Sequence, residues 1–510
     1  MTIDNNSKLD KILQFVPGFI TWLTLLSPIW LGILSPTLVA LFLTFLAIYW
    51  VYLAFTHTVG LIIGYKRYKK ETATDWFKKC GELDFSNLPD KTTLPKTLKE
   101  VKHLLVIPTV NESLEILDQT VKSLAEQNYP LFQNIFIVIA CEERGAESVS
   151  KSLDILKERY KGQLGEILFY IHPAGIPGEL VGGGAANRTY GTTHAVEELT
   201  KRGLNTRDFI FTTFDADTCL HKEFIGRLTH CYLTTDKRDN HFYSTAVFQF
   251  NNNIWKVHTL MRIEANSVTL GTLASWTLSS ETKETFSCYS ASLDTLIAAN
   301  YWDVGLIDDT VFYWRAFFAR NGDFKPAIFY VPNSSDAVQG ETFLKAHQSL
   351  YKQLLRWGWG SVTTPLAFKG FIKNKDIPTT TKILWSLNKA ERHLIFRTMV
   401  FLITFGFAIL TFVNQNVRQT TIAYNLPDVT STILNVGLIF LLPFSILRQK
   451  LAGPFPKEWP IWKRWLSYLE GPLILVNLLT FSFIPFLEAE TKMMLGKRYK
   501  NLHFTPKVRK

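Results

Sequence analysis

Two aspartates, Asp215 and Asp217, follow a short run of β-prone apolar residues in the stretch FIFTTFDADTCL (209–220). Two carboxylates this close repel each other, so the pattern indicates either a turn that ends a strand or a site that holds a cation. A hard divalent cation such as Mg²⁺ prefers oxygen ligands and often binds one or two carboxylates together with substrate phosphates. The pair could therefore hold a metal ion against a phosphorylated substrate.

A second acidic pair, Asp308 and Asp309, lies in WDVGLIDDT (302–310). Like charges on adjacent residues favour a proton on one of them, which can prepare a carboxylate to act as a general base. The alternative is a helix N-terminus, where acidic side chains interact favourably with the helix dipole. The pair on its own does not distinguish between these two interpretations.

The stretch YKQLLRWGWG (351–360) places Gln353, Arg356 and Trp357 at positions i, i+3 and i+4, which share one face of a helix. Glutamine can hydrogen-bond hydroxyl groups, arginine can grip a diphosphate with its planar fork, and tryptophan can stack on a sugar. An aromatic and cationic belt at a membrane surface would produce the same composition. Both interpretations stay open at this point.

The region that must position these residues alternates between apolar runs and segments of helical periodicity, which predicts βαβ units and a parallel sheet. In such sheets ligands bind at the carboxyl ends of the strands, where PTVNE (108–112) and the Asp215–Asp217 pair both lie. The predicted strands are 103–108, 134–140, 166–172 and 208–214, and the predicted helices between them are 113–127, 146–160 and 187–201.

The apolar excess of the 510-residue chain is concentrated at its two ends. Uncharged or nearly uncharged stretches of about 20 residues are long enough to cross a bilayer core about 30 Å thick. The first two of these stretches predict a helical hairpin. The candidate spans are 15–35, 37–64, 394–413, 431–447 and a shorter one at 471–487.

Basic residues predict how the chain lies relative to the membrane. Lys66, Arg67, Lys69 and Lys70 follow the N-terminal hairpin, which favours a cytoplasmic location for the central region. The loop 448–468 and the C-terminal tail are also basic, so we expect 471–487 to re-enter or to lie flat rather than to cross. A further aromatic, amphipathic segment before the third span is expected to lie on the membrane surface.

The net charge of +11 comes largely from these flanks and indicates contact with anionic lipid. Nucleic-acid binding is not expected, because neither a basic recognition helix nor an aromatic binding motif is present. The five cysteines contain no CxxC pair, which favours a reducing compartment. Cys219, His221, His230 and Cys231 match no zinc spacing and are interpreted as ordinary helix residues.

Taken in chain order, these segments resemble the membrane-integrated family-two glycosyltransferases, a group that includes cellulose, hyaluronan and chitin synthases and ceramide glucosyltransferases. The resemblance covers about residues 100–360. It is carried by VIPTVNES (106–113), SLAEQNYP (123–130), FDADT (214–218), WDVGLIDDT (302–310) and QxxRW (353–357).

The resemblance implies an α/β GT-A fold with a mostly parallel sheet, inserted between transmembrane helices. It also implies inverting transfer of a sugar from a nucleotide-diphosphate donor to a lipid or growing polysaccharide, at the cytoplasmic face of the plasma (inner) membrane. The implied organisation is an N-terminal hairpin at 1–66, a GT-A domain at 67–335, interfacial helices at 336–392 and a C-terminal membrane region at 393–510.

The resemblance also implies roles for individual residues. Asp309 matches the catalytic base and Asp308 its acidic neighbour, while Asp217, with Asp215 beside it, would ligate Mg²⁺ or Mn²⁺. The residues implied to bind the donor are Pro108, Thr109, Asn111, Glu112, Glu142, Glu143, Asn187, Asp215, Gln353, Arg356 and Trp357.

Two positions depart from the family pattern. An aspartate pair normally follows the second strand, but this chain has IACEERGAE there, so Glu142 or Glu143 must serve instead. A lysine that normally lies near the diphosphate is replaced by Gly183. Arg188 could compensate for that lysine, or the glycine-rich loop could cradle phosphate through its backbone N–H groups. The identity of the donor therefore stays open.

Two other classes of protein compete with the enzyme interpretation. An inactive membrane scaffold that keeps the fold would suit the departures at Gly183 and after the second strand. A transporter is disfavoured, because the predicted spans contain almost no charge.

Overall fold

The computed structural model describes residues 7–93, 95–180, 184–279, 281–306 and 308–498. Two sheets form the central region. Their strands are β1 (Lys102–Thr109), β2 (Ile135–Glu142), β3 (Glu166–His172), β4 (Phe209–Thr213), β5 (Cys219–Leu220), β6 (His241–Thr245), β7 (Phe248–Gln249), β8 (Tyr289–Ser292), β9 (Lys325–Phe329) and β10 (Asn333–Ser334).

Helices surround the sheets and extend the chain on both sides. Those before the large sheet are α1 (Lys8–Leu25), α2 (Ser27–Leu34), α3 (Pro36–Thr72) and α4 (Trp76–Gly81). Those within the sheet domain are α5 (Leu114–Ala125), α6 (Ala146–Arg159), α7 (Gly184–Lys201), α8 (Phe224–Thr234), α9 (Thr259–Leu278), α10 (Leu293–Ala298) and α11 (Asp308–Ala319). Those after it are α12 (Phe343–Gly358), α13 (Thr363–Lys373), α14 (Thr379–Glu391), α15 (Met399–Val413), α16 (Thr421–Leu438), α17 (Leu441–Ala452), α18 (Ile461–Tyr468), α19 (Ile474–Leu479) and α20 (Ile484–Met494).

The large sheet has seven strands in the order β3-β2-β1-β4-β8-β6-β9. The four strands predicted from sequence pair in parallel, while β8 pairs antiparallel with both β4 and β6. The prediction of alternating strands and helices around a mostly parallel sheet is confirmed. Strand β1 is buried along nearly its whole length, as its unbroken apolar run requires of a strand covered on both faces.

Among the residues that the structure describes, three helices are long and apolar enough to cross a membrane: Pro36–Thr72, Thr421–Ala452 and Ile474–Met494. Two bent pairs of helices raise the number to five if each pair forms one span. The first pair covers the predicted span at 15–35, with α1 and α2 meeting at an angle of 59°. Pro28 lies in the first turn of α2, where proline starts a new helix more readily than it continues the preceding one.

The last apolar segment also differs from expectation. The helix Ile474–Met494 has the length and composition of a crossing helix, whereas the charge pattern favoured a re-entrant or flat segment at 471–487. Residues 499–510, which supply part of the basic C-terminal tail, lie outside the described residues.

The sheet domain packs directly on the long helix α3. A Cβ atom at Gly60 would lie 2.5 Å from the carbonyl oxygen of Ala274, and one at Gly64 would lie 2.6 Å from a methyl carbon of Leu273. Both partners belong to α9, so the absence of side chains at the two glycines allows α3 and α9 to approach closely. The domain is thus held against a helix that is long enough to span a membrane.

A buried polar cluster, here called the Glu490 cluster, joins three of the candidate membrane segments. It consists of Glu490, Arg397, His393, Ser361 and Thr21. The Glu490 carboxylate accepts hydrogen bonds from Arg397 Nε at 2.8 Å, Thr21 Oγ1 at 2.8 Å and Ser361 Oγ at 3.1 Å, and it lies 3.1 Å from His393 Nδ1. Glu490 lies in the candidate span Ile474–Met494, just beyond the segment 471–487 that the sequence predicted.

Candidate active site

A cavity of about 460 Å³ lies at the carboxyl ends of β1 and β4. The loops after these strands border it, together with the first turns of α7 and α11 and one face of α12. The structure therefore brings the separate sequence motifs to one place. The predicted site residues that line the cavity are Pro108, Glu112, Asn187, Asp215, Asp217, Asp309, Gln353, Arg356 and Trp357.

The loop after β1 is held by three contacts. The Glu112 carboxylate accepts a hydrogen bond from the backbone N–H of Val110 at 2.7 Å, and the Asn187 side chain donates to the carbonyl oxygen of Thr109 at 3.1 Å. A Cβ atom at Gly145 would lie only 1.6 Å from the Val110 carbonyl oxygen, so a glycine is needed where the chain after β2 passes this loop. The loop is thus preformed at the edge of the cavity.

The centre of the site is an acid–arginine–acid bridge formed by Asp215, Arg188 and Asp309. Arg188 Nη2 lies 3.0 Å from Asp215 Oδ1, and Arg188 Nη1 lies 3.0 Å from Asp309 Oδ1. Burial opposes the charge on the guanidinium, but the two neighbouring carboxylates outweigh it and raise the pKa of Arg188 above its ordinary value. The bridge therefore combines a permanent cation with two acids from distant parts of the chain.

Ser287 supplies the second contact of Asp215. Its Oγ donates to Asp215 Oδ2 at 3.3 Å, so both carboxylate oxygens of Asp215 are engaged by protein groups. Ser287 has a positive φ of 42°, a conformation that costs free energy in a non-glycine residue and is concentrated at functional sites. In this conformation its hydroxyl meets Asp215.

Asp217 lies in the wall of the same cavity and is nearly buried. Its Oδ2 accepts a hydrogen bond from the backbone N–H of Asp336 at 3.3 Å, and its carbonyl oxygen accepts one from Asn252 at 2.7 Å. Asp336 also lines the cavity. Asp217 and Asp336 thus lie side by side and border the same cavity.

Within the residues that the structure describes, no group of three His, Cys, Asp or Glu side chains could hold a metal ion alone. Mg²⁺ usually needs only one or two carboxylates when substrate phosphates complete its shell, so Asp217 with Asp336 nearby fits such a site. Asp215 fits less well as the second ligand, because Arg188 and Ser287 already engage both of its carboxylate oxygens.

Helix α12 presents Gln353, Arg356 and Trp357 to the cavity, each half-buried. The end of this helix is fixed against α20, since a Cβ atom at Gly358 would lie 2.8 Å from the Cβ atom of Ala489. All three residues line the cavity, as the interpretation of a ligand-binding group requires. Their chemical roles stay predictions.

Several predicted residues lie elsewhere. Thr109 ends β1 and Asn111 follows it, while Glu142 ends β2 and Glu143 follows it. None of the four is among the residues that line the cavity. Glu142 pairs with Arg144 at 2.8 Å, and Glu143 accepts a hydrogen bond from the backbone of the loop after β3 at 2.9 Å. The side chain of Asp308 and the whole of Gly183 lie outside the described residues.

Sequence reasoning missed three contributors. Ser287 and Asp336 belong to no motif, and their types and spacing carried no signal of a site. Arg188 was considered only as a substitute for a diphosphate-binding lysine, whereas in the structure it holds two acids. Apolar residues that complete the cavity wall were also not anticipated; among them are Phe248, Phe250, Val268 and Phe286.

Comparisons with known proteins add little to this geometry. No protein-family model and no curated protein matches the chain. Among solved structures, the chain is similar to that of S. aureus TarS 1–349 in complex with UDP, with a TM-score of 0.31 and 12% identity over 78% of this chain and 93% of that one. A likeness at this TM-score carries no argument about function, so the function has to be inferred from the site itself.

Proposed function

We propose that the chain is a membrane glycosyltransferase of the GT-A type, which moves a sugar with inversion from a nucleotide-diphosphate donor to a membrane-associated acceptor. The observation that carries the proposal is the meeting of Asp309, Asp217 and Arg356 in one cavity at the carboxyl edge of a parallel sheet. Asp309 supplies the general base, while Asp217 and Arg356 supply the groups that offset the charge of the diphosphate. The acceptor is a lipid or a growing polysaccharide.

In this mechanism the donor lies between the β1 loop and α12. The preformed loop holds the nucleoside, while Trp357 packs on the sugar and Gln353 hydrogen-bonds its hydroxyl groups. The Asp309 carboxylate takes the proton from the acceptor hydroxyl as its oxygen attacks the anomeric carbon, and general-base help of this kind is typically worth about 10²–10⁴-fold in rate. The bond to the leaving diphosphate breaks on the opposite face of the sugar.

The leaving diphosphate carries negative charge that must be offset. Arg356 can contact two phosphate oxygens with its planar guanidinium. A Mg²⁺ or Mn²⁺ ion, held by Asp217 with Asp336 beside it, would add electrostatic stabilisation of the leaving group. Asp336 was not among the metal ligands that the sequence predicted. It is proposed here because its backbone N–H donates a hydrogen bond to Asp217 and both residues line the cavity.

The membrane attachment of the proposed enzyme follows from the helices that flank the sheet domain. The domain packs on α3, which is followed by basic residues that favour the cytoplasmic side. We therefore place the cavity on the cytoplasmic face of the plasma membrane, where nucleotide sugars are available and where a lipid or a polymer can be reached.

The test uses the full-length protein in lipid nanodiscs with a panel of nucleotide sugars and Mn²⁺, followed by mass analysis of the products. Wild-type protein is expected to transfer one sugar of the panel. Asp309→Asn is expected to lower kcat by at least about 10²-fold, the lower end of general-base contributions, while UDP or GDP binding survives. Removing Mn²⁺ is expected to weaken nucleotide binding in the wild type but not in Asp217→Ala.

A matched control comes from Asp303, which lies in the same segment and pairs with Arg315 at 3.3 Å, but does not line the cavity. Asp303→Asn is expected to retain transfer. Undiminished transfer in Asp309→Asn would remove Asp309 from the base role. If the wild type neither transfers nor hydrolyses any donor of the panel, the inactive-scaffold alternative replaces the enzyme. A ladder of products would identify a polymer, and a single adduct would identify a lipid acceptor.

A further inference from the structure

Arg188 occupies an unusual position for a cation beside a substrate cavity. It lies in the second turn of α7, and its side chain is only 2% exposed, whereas the Asp215 and Asp309 side chains are 47% and 28% exposed. Arg188 is not among the residues that line the cavity, but both of its acid partners are. The guanidinium therefore approaches the two acids from the protein side and leaves their opposite sides open to a ligand.

The contacts of Arg188 also limit what else it can bind. One Nη atom is engaged by each acid at 3.0 Å, so both ends of the planar fork are used. Because the guanidinium is buried and does not line the cavity, a diphosphate in the cavity would meet the exposed sides of Asp215 and Asp309 instead. The structure thus gives Arg188 a different role from that of a lysine that binds a diphosphate directly.

The two acids come from different elements, Asp215 from the loop after β4 and Asp309 from the first turn of α11. Without a cation between them they would repel each other, and nothing in the covalent chain fixes their spacing, since they lie 94 positions apart in the sequence. A guanidinium can hold two carboxylates in one plane because its N–H groups form a rigid fork, which the single ammonium of lysine cannot reproduce.

We propose that Arg188 is a positioning residue that holds Asp215 and Asp309 at a fixed separation and thereby aims the Asp309 carboxylate at the acceptor. The expected effect on the rate of transfer rests on the proposed transferase function. The contacts of Arg188 with Asp215 and Asp309 do not depend on any activity. In the mechanism, Arg188 acts through Asp309 and Asp215 and does not touch the diphosphate.

The kinetic test compares Arg188→Lys with the wild type in nanodiscs, with the donor that the panel identifies. Misplacement of a reacting group by about 1 Å can cost about 10²-fold in rate, so kcat is expected to fall by that order while the KM for donor and the Kd for UDP or GDP change less than about threefold. A fall in nucleotide affinity of tenfold or more with kcat unchanged would overturn the proposal in favour of a direct diphosphate contact.

Arg202 provides a matched control, because it directly follows the same helix and also contacts two acids, Glu166 and Glu198, on an exposed surface away from the cavity. Arg202→Lys is expected to leave kcat and nucleotide affinity unchanged. An equal loss of kcat in Arg188→Lys and Arg202→Lys would show a general effect of arginine loss and would overturn the positioning role.

A second measurement needs no activity. The thermal inactivation of UDP or GDP binding is followed for Arg188→Gln, Asp309→Asn and the double variant. If the bridge exists, the double variant loses less thermal stability of nucleotide binding than the two single variants combined, because each single change leaves a charge without its partner. Additive losses would overturn the bridge, whereas coupling in a chain that transfers no sugar would support the bridge and refute only the proposed function.

Discussion

Replacement of Glu490 by glutamine tests whether the Glu490 cluster holds the membrane helices together. The carboxylate is fully buried, and its Oε1 atom is contacted by Arg397, His393 and Ser361 while Oε2 accepts from Thr21. Glutamine keeps the volume but removes the charge, and its NH₂ group must face at least one of these donors. The perturbation is therefore electrostatic rather than steric.

The size of the effect follows from this environment. Removing one partner of a buried ion pair typically costs about 3–5 kcal/mol, because the other charge stays buried without compensation. Since about 1.4 kcal/mol corresponds to a factor of ten, the ratio of folded to unfolded protein is expected to fall by a factor of about 10² to 10³ or more. Equilibrium unfolding in mixed micelles, followed by tryptophan fluorescence, measures this ratio.

Glu488 is the matched control, since it lies two residues earlier on α20 but is partly exposed and pairs with Lys492. An exposed pair of this kind is worth about 0–1 kcal/mol, so Glu488→Gln is expected to change the free energy of unfolding by no more than that. The reasoning would be refuted if Glu490→Gln cost as little as Glu488→Gln, because the cluster would then contribute no more than a surface pair.

Two further predictions concern the sheet domain. Gly145→Ala introduces a Cβ atom 1.6 Å from a carbonyl oxygen of the β1 loop, so it is expected to weaken UDP or GDP binding and to cost about 1–3 kcal/mol of stability. Gly81→Ala, whose Cβ atom meets nothing within 4 Å, is expected to change neither property. Equal effects of the two substitutions in binding and unfolding assays would argue against a loop fixed in this way. Burial raises the pKa of Cys288 to about 12, so iodoacetamide at pH 8 is expected to label the half-buried Cys219 before Cys288 in native protein. Peptide mass mapping measures the order of labelling, and the reverse order would contradict the packing around β8.

The parts of the fold that were predictable are those in which local pattern and tertiary environment agree. Strands β1, β2 and β4 are apolar runs that are almost fully buried. Asp215 and Asp217 follow soon after β4, so their position at the ligand-binding edge could be inferred from order along the chain. The face of α12 was predictable for the same reason, because helical spacing alone places Gln353, Arg356 and Trp357 together.

The parts that were not predictable depend on contacts between distant residues. Arg188 meets Asp309 across 121 positions of sequence, and Ser287 meets Asp215 across 72, and neither contact has a local signature. The antiparallel strands β6 and β8 are short and polar at several positions, so their pattern did not distinguish them from loops. The bend between α1 and α2 coincides with Pro28 in the first turn of α2, and apolar composition alone does not show it.

The Glu490 cluster has a consequence for how the chain is made. Arg397 is synthesised 93 residues before Glu490, and Thr21 precedes it by 469, so for most of translation these groups exist without their acidic partner. An unpaired cation inside a bilayer is costly, so the early helices cannot reach their final arrangement until α20 arrives. A ribosome-bound chain that stops before residue 490 is therefore expected to remain loosely assembled in the membrane and open to proteolysis, which makes the synthesis of α20 the step that completes the cluster.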